Sequence, residues 1–165
     1  MKRKNEKVQW ISPREAIQNA VVSLDRPEIK NFPNSIRKPI VGKPFTPFFV
    51  KYLHNKSAYF LVPWKHNEKV AFIIQINART GQFAGITFFE KMQRDPIIPE
   101  ASASNCATAA YPTENFVSKG LVWKPCREST TPLRPFYLFE SENLSIFVDM
   151  NCKIFTFLTP LGKGG

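Results

Sequence analysis

Two stretches of the chain are variants of one another: YFLVPWKHNEKVAFIIQIN (residues 59–77) followed by ARTGQF (residues 78–83), and FYLFESENLSIFVD (residues 136–149) followed by MNCKIF (residues 150–155). Each reads as an aromatic-rich strand, a short polar turn, an apolar strand that ends in Asn or Asp, a tight turn and a further strand. This internal repeat predicts two similar antiparallel meanders that share or pair their sheets.

A helix is predicted ahead of the first meander. Ser12 can cap it, Pro13 suits the first helical position, and Glu15 completes a capping box. Apolar residues at helical spacing then form one face: Ala16, Ile17, Ala20, Val21 and Leu24. We expect the helix to end near residues 25–26, because Pro27 disfavours helical geometry in the residue before it. The sequence therefore predicts an α+β fold, with an N-terminal helix packed on an antiparallel sheet built from two related strand meanders.

Five consecutive segments follow from these patterns, and we expect them to form one compact unit. They are a basic arm (residues 1–11), the helix with the first meander (12–89), a connecting segment (90–118), the second meander (119–160) and a flexible tail (161–165). Residues 101–110 are rich in Ala and predict a short helix. Five prolines within residues 27–47 predict an extended crossing. Pro63 predicts an edge or a bulge in its strand, and residues 152–158 predict the last strand.

Positive charge is concentrated in the first part of the chain. The net charge is +10, and residues 1–66 carry 13 Lys and Arg against 4 Asp and Glu, a net of +9. Such a surface attracts acidic proteins, nucleic acid or anionic lipid. The basic residues are scattered rather than grouped in one run, however, and scattered charge is equally typical of a solvated surface.

Cysteines and histidines give little sign of metal chemistry. Cys106, Cys126 and Cys152 lack CxxC spacing. With only His54 and His66 as further ligands, the composition does not favour a zinc site, and we predict no metal site and no cofactor. Free thiols in a reducing compartment are the favoured interpretation, with one disulfide plus a spare thiol as the alternative.

The N-terminus and the hydropathy of the chain bear on its location. The basic start is not followed by an apolar stretch, so a secretory signal is not expected. No apolar run approaches the roughly 20 residues that span a bilayer. These observations predict a cytoplasmic protein without a transmembrane segment.

Motifs of catalytic sites are absent from the sequence. It contains no glycine-rich phosphate loop, no HExxH, no GxSxG and no paired-carboxylate motif, so an enzyme is not favoured. A module that binds a protein or peptide needs no reactive residues, and this is the function we predict. Its candidate partner-binding residues are aromatic or basic: Trp64, Trp123, Arg127, Arg134, Lys51 and Lys65. For both tryptophans, a place in the core is the alternative.

The first copy of the repeat resembles the PepSY domain pattern. The matching positions are residues 59–62 and 72–76, Asn77, Thr80, Gly81 and Phe83. The second copy retains Asp149, but Asn-Cys-Lys at residues 151–153 stands where the Thr-Gly pair is expected. The resemblance implies a cystatin-like α+β fold with a helix packed across an antiparallel sheet. It also implies an association with peptidases, as their propeptides or as inhibitors.

A basic nucleic-acid-binding module is the alternative function, and it rests on residues 37–65. There, basic residues alternate with aromatic ones: Arg37, Lys38, Lys43, Lys51, Lys56 and Lys65 with Phe45, Phe48, Phe49, Tyr52, Tyr59 and Trp64. Aromatic side chains that stack on bases, together with cations that neutralise phosphates, hold single strands on a sheet surface. Binding that weakens steeply with salt is the expected signature of this alternative.

Overall fold

Helix α1 forms where the capping box predicts it. The structure is a computed structural model that describes residues 8–31 and 42–162, and α1 spans Pro13–Ser23. The Ser12 hydroxyl accepts a hydrogen bond from the Glu15 amide (3.2 Å), and the Glu15 carboxylate accepts one from the Ser12 amide (2.7 Å). This backbone hydrogen bond lowers the pKa of Glu15 from its ordinary value. The predicted capping box is therefore confirmed.

Nine strands form one sheet within the described residues. They are β1 (Lys43–Pro44), β2 (Phe48–Tyr52), β3 (Ala58–His66), β4 (Lys69–Asn77), β5 (Phe83–Gln93), β6 (Val117–Trp123), β7 (Phe136–Glu140), β8 (Ser145–Val148) and β9 (Ile154–Phe155). Their spatial order is β5-β4-β3-β2-β6-β7-β8-β9, with β1 also paired to β3. Every pair is antiparallel except β2 with β6, where Val50 lies opposite Leu121. The predicted α+β class with a mostly antiparallel sheet is confirmed.

The two copies of the repeat form meanders of the same kind, β3-β4-β5 and β7-β8-β9. The Asn77 side-chain oxygen accepts hydrogen bonds from the backbone amides of Arg79 (2.9 Å) and Thr80 (3.0 Å), which follow it in the chain. Asp149 accepts two such bonds at the corresponding place (both 2.8 Å). Each turn also contains a left-handed residue, Gly81 (φ 71°) or Cys152 (φ 62°). The Asn or Asp that the copies share therefore closes the same kind of turn.

The last predicted strand is wrong in extent. Of residues 152–158, only β9 pairs with the sheet. Beyond it the chain leaves the sheet, because Leu158 is buried in a cluster with Phe136 and Cys126, and Pro160 forms a bridge to Cys126. Burial of one leucine against the sheet therefore replaces further strand pairing.

The proline-rich segment also differs in part from the prediction. Residues Pro27–Lys30 form a short helix, α2, instead of an extended crossing. Pro27 lies in the first turn of α2, where a backbone N–H has no partner within the helix, so its absence costs no hydrogen bond. Residues 32–41 of that crossing lie outside the described residues, whereas residues 42–47 are described and include the extended strand β1. Residues 1–7 of the predicted basic arm and residues 163–165 of the predicted tail also lie outside the described residues.

Helices α1 and α3 cover opposite faces of the sheet. The predicted helix over residues 101–110 is confirmed as α3 (Glu100–Ala110). Successive side chains of a strand point to opposite faces. In β3, Phe60 therefore belongs to the buried cluster that contains Ala16 of α1, and Leu61 belongs to the one that contains Ala103 of α3. The second cluster draws on strands of both meanders.

Candidate functional site

An apolar cavity of about 230 Å³ lies beside the buried cluster on the α3 face. Its apolar lining comes from Phe45, Phe48, Pro63, Val70, Pro96, Ile97 and Pro99. Lys65, Arg94 and Asp95 add charged side chains to the lining. We call this site the Phe45 cavity. It is built from the connection between β1 and β2, the hairpin of β3 and β4, and the segment that leads into α3.

The first wall of the cavity is held by the backbone of β3. The Phe45 amide donates a hydrogen bond to the Pro63 carbonyl (2.8 Å). Phe45 is 45% exposed, and the Lys65 Nζ lies 3.9 Å from the centroid of its ring. At this distance a cation and a ring attract each other. The pair therefore presents an aromatic surface and a positive charge beside one apolar opening.

Pro63 lies in an interior strand, so the prediction of an edge position is wrong. Its carbonyl faces Phe45, and the N–H and C=O groups of a strand residue point to the same side. The Pro63 nitrogen, which carries no proton, therefore points away from β4, and the hydrogen bonds between β3 and β4 do not need it as a donor. The register of β3 with β4 shifts directly afterwards, between Trp64 and Lys65, as the predicted bulge requires.

The second wall, residues 94–99, is anchored to the sheet. Ile97 is buried, and the Tyr137 hydroxyl donates a hydrogen bond to the Ile98 carbonyl (2.9 Å). Burial, together with the negative charge of Glu100, raises the pKa of Tyr137 to about 12. The hydroxyl therefore keeps its proton, and this hydrogen bond, at neutral pH.

The size and chemistry of the cavity suit a side chain better than a small-molecule substrate. Its volume is below the roughly 300–1,000 Å³ of typical small-molecule sites. Neither His54 nor His66 lines it, and the described ranges contain no cluster of three His, Cys, Asp or Glu that could hold a metal. A larger groove of about 530 Å³ is lined mainly by polar residues, among them Glu114 and Glu140. The Phe45 cavity is therefore the better candidate for apolar recognition.

The predicted basic residues do not form one site. Lys65 lines the Phe45 cavity. Lys51 is exposed in β2 and lines a separate groove with Lys119. Arg134 lines a cleft with three acidic residues. The exposed Arg127 donates a hydrogen bond from its backbone amide to the Thr159 carbonyl (2.9 Å). Of the four predicted residues, only Lys65 therefore lines the Phe45 cavity.

The two predicted tryptophans are core residues. Trp64 is 5% exposed and stacks on Phe72, with ring centroids 5.3 Å apart. Trp123 is 7% exposed, and its indole nitrogen donates to the Ser129 hydroxyl (3.2 Å). Both indoles therefore belong to the core, the alternative stated for them, and burial keeps them from contact with a partner. Within the described chain, the Trp64 Nε1 has no acceptor.

Sequence reasoning missed Phe45, Arg94 and residues 96–99 as parts of a site. The sequence pattern indicates only a base-stacking role for Phe45, and the others fall in a segment without a periodic pattern. The one available signal was the pair of prolines, Pro96 and Pro99, which hold the segment extended before α3.

The prediction of three free thiols is wrong. Cys106 of α3 forms a disulfide with Cys152 in the turn before β9, with Cα atoms 5.7 Å apart. Cys126 is free and buried, and this burial raises the pKa of its thiol. The alternative of one disulfide plus a spare thiol is therefore the observed arrangement.

Comparisons with known proteins identify no relative of the chain. No family model, curated protein or solved structure matches the chain. The resemblance to PepSY domains therefore stays a prediction. Among the described residues, no helix is long and apolar enough to cross a membrane.

Proposed function

We propose that this chain is a non-catalytic protein- or peptide-binding module, and that the Phe45 cavity receives one apolar side chain of the partner. The observation that carries the proposal is the apolar lining beside the exposed Phe45, with the half-buried Lys65 over its ring. Aromatic side chains such as Phe are enriched at protein interfaces, and a charge beside an apolar pocket attracts a partner of opposite charge.

The charges of the lining indicate the chemistry of the partner. Lys65 and Arg94 contribute two positive charges, and Asp95 contributes one negative charge. The whole chain carries +10. An acidic residue beside the apolar anchor therefore complements this surface, and it speeds association through long-range attraction.

The resemblance to PepSY domains adds peptidases to the partner classes worth testing. Inhibition by this route requires no reactive residue in the chain, since an occupied peptidase cleft is sufficient. We therefore propose a peptidase-associated or inhibitory role as the narrower form of the binding function, and a panel of peptidases assayed with and without the protein tests it directly.

Nucleic-acid binding is supported less well. The aromatic side chains of residues 43–66 divide between the two faces of the sheet: Phe49 and Phe60 lie in the α1 cluster, and Phe48 and Tyr59 in the α3 cluster. Bases stack on a continuous platform of rings. This arrangement leaves the positive charge of residues 1–66 as the main support for the alternative.

The disulfide bears on where the protein works. The sequence predicts a cytoplasmic location, but disulfides are typical of oxidising compartments. We therefore favour an oxidising compartment over the cytoplasm. Alkylation of thiols at the moment of cell lysis distinguishes the two, since only a reduced chain adds label at Cys106 and Cys152.

Selection from a random peptide library tests the binding function. We expect the purified protein to enrich peptides that share one large apolar residue next to Asp or Glu. Phe45→Ala should weaken a selected peptide about tenfold, a loss of about 1.4 kcal/mol that is usual for an anchor contact. Lys65→Ala should weaken it less, and raised salt should reproduce the effect of that substitution.

Two matched variants control for a general loss of surface. Phe157 is 70% exposed elsewhere, and Lys153 lies 5.1 Å from the centroid of the Phe155 ring, much as Lys65 lies over Phe45. Phe157→Ala and Lys153→Ala should leave peptide affinity within about twofold. Equal losses in all four variants, or no enriched apolar residue, contradict the proposal. Nucleic acid that copurifies and is released by salt favours the alternative instead.

A further inference from the structure

Helix α3 packs on the sheet through very small side chains. All of its residues are described, and those that are buried are Ala103 and Ala107. The residue that precedes its first turn is Pro99, which has no side-chain acceptor for the first amides of the helix. The helix therefore gains little from apolar burial or from capping.

The disulfide supplies a further attachment for this helix. Cys106 lies in the second half of α3, next to Ala107, and Cys152 lies across from it in the turn before β9. The bond joins residues 46 positions apart. Cys152 is an exposed residue and Cys106 is half-buried, so a reductant approaches the bond from the Cys152 side.

The helix continues directly from a wall of the Phe45 cavity. Pro96, Ile97 and Pro99 line the cavity, and Glu100 begins α3. Between them, the hydrogen bond from Tyr137 to the Ile98 carbonyl is the polar anchor of the wall. A helix that loosens at Cys106 therefore pulls on the same short segment that shapes the cavity.

We propose that the Cys106–Cys152 disulfide is a redox latch that keeps the Phe45 cavity formed. A thiolate of a dithiol reductant attacks the Cys152 sulfur and forms a mixed disulfide with it. The Cys106–Cys152 bond breaks, and its electron pair leaves on the Cys106 sulfur, which takes up a proton. The second thiol of the reductant then displaces Cys152 as a thiol, and the reductant becomes a disulfide. Helix α3 loosens, and the cavity loses affinity. The coupling to affinity rests on the proposed function.

Two measurements on the full chain test the latch, with dithiothreitol as the reductant. Hydrogen exchange of the α3 amides, residues 100–110, should be at least about tenfold faster after reduction. The affinity of a peptide selected on the oxidised protein should fall at least about fivefold. Cys152→Gly should show the exchange and affinity of the reduced protein, and dithiothreitol should change neither. Gly is chosen because it adopts the left-handed backbone at this position (φ 62°) without strain. Cys126→Ala, which leaves the disulfide intact, should respond like the wild type.

Each outcome decides one part of the proposal. Unchanged exchange in α3 overturns the latch, even when peptide binding is intact. Faster exchange with unchanged peptide affinity overturns the coupling to the cavity. Failure of the oxidised protein to bind any peptide refutes the proposed function and the coupling, whereas the exchange measurement still reports on the latch alone.

Discussion

Breaking the disulfide should cost more stability than removing either buried methyl group of α3. The bond closes a loop of 46 residues, for which the chain-entropy relation gives about 13.5 cal/mol/K, or about 4 kcal/mol at 25 °C. The buried methyl groups of Ala103 and Ala107 contribute about 0.8 kcal/mol each. The cross-link therefore outweighs the apolar contact of the helix it holds.

Two variants separate the cross-link from the backbone around it. Cys106→Ser removes the bond and leaves Cys152 in its left-handed conformation, so it should lose about 4 kcal/mol of unfolding free energy. Cys152→Gly removes the same bond but relieves that conformation, which costs an ordinary residue at least about 1 kcal/mol. Cys152→Gly should therefore be the more stable of the two by about 1 kcal/mol.

Unfolding in guanidinium chloride, followed by circular dichroism, measures both differences. The reduced wild type should unfold at the same denaturant concentration as Cys106→Ser within error, because both lack only the cross-link. A disulfide-free variant that unfolds at the midpoint of the oxidised protein refutes the reasoning. A Cys152→Gly variant less stable than Cys106→Ser refutes the part that concerns the backbone.

Three further predictions concern the fold. Ser12→Ala should lower the unfolding free energy by about 1 kcal/mol in a denaturant titration, because it removes the cap of α1; no change would contradict the role of the capping box. Burial raises the pKa of Tyr59 and Tyr137 above the ordinary value of 10, so the folded chain binds more protons than the unfolded one in alkali. Titration of these groups should therefore leave the free energy of unfolding unchanged below pH 10, and the free energy should fall as the pH rises from 10 through about 12. Equal denaturation midpoints at pH 9 and pH 11 would contradict the burial. Gly81→Ala should cost about 1–2 kcal/mol, since its φ is 71° and a Cβ there would lie 2.5 Å from the Asn19 side chain; Gly85→Ala, with open space around it, is the matched control.

Much of the fold follows from local sequence patterns. The capping box predicts the start of α1 because its hydrogen bonds join Ser12 and Glu15, which are three residues apart. The repeat placed two similar turns, since Asn77 and Asp149 bind amides within a few residues of themselves. The parallel pairing of β2 with β6 could not be predicted, because it joins residues about 70 positions apart and no local pattern records that choice.

The candidate site was less predictable than the fold. Phe45 and Ile97 meet in one cavity only because the sheet brings their segments together. Lys65 was predicted from its residue type, but Trp64 beside it points to the other face, where it is buried. Three cysteines allow three single pairings, so spacing could not select Cys106 and Cys152.

Methyl groups inside the cavity provide the most direct test of its role. Val70 and Ile97 line the cavity, whereas Ile146 and Val148 are buried in the same cluster without lining it. We predict that NMR titration with a selected peptide shifts the methyl signals of Val70 and Ile97 and leaves those of Ile146 and Val148 in place. Shifts confined to other parts of the molecule, with the Val70 and Ile97 signals unchanged at saturation, would contradict the Phe45 cavity as the binding site.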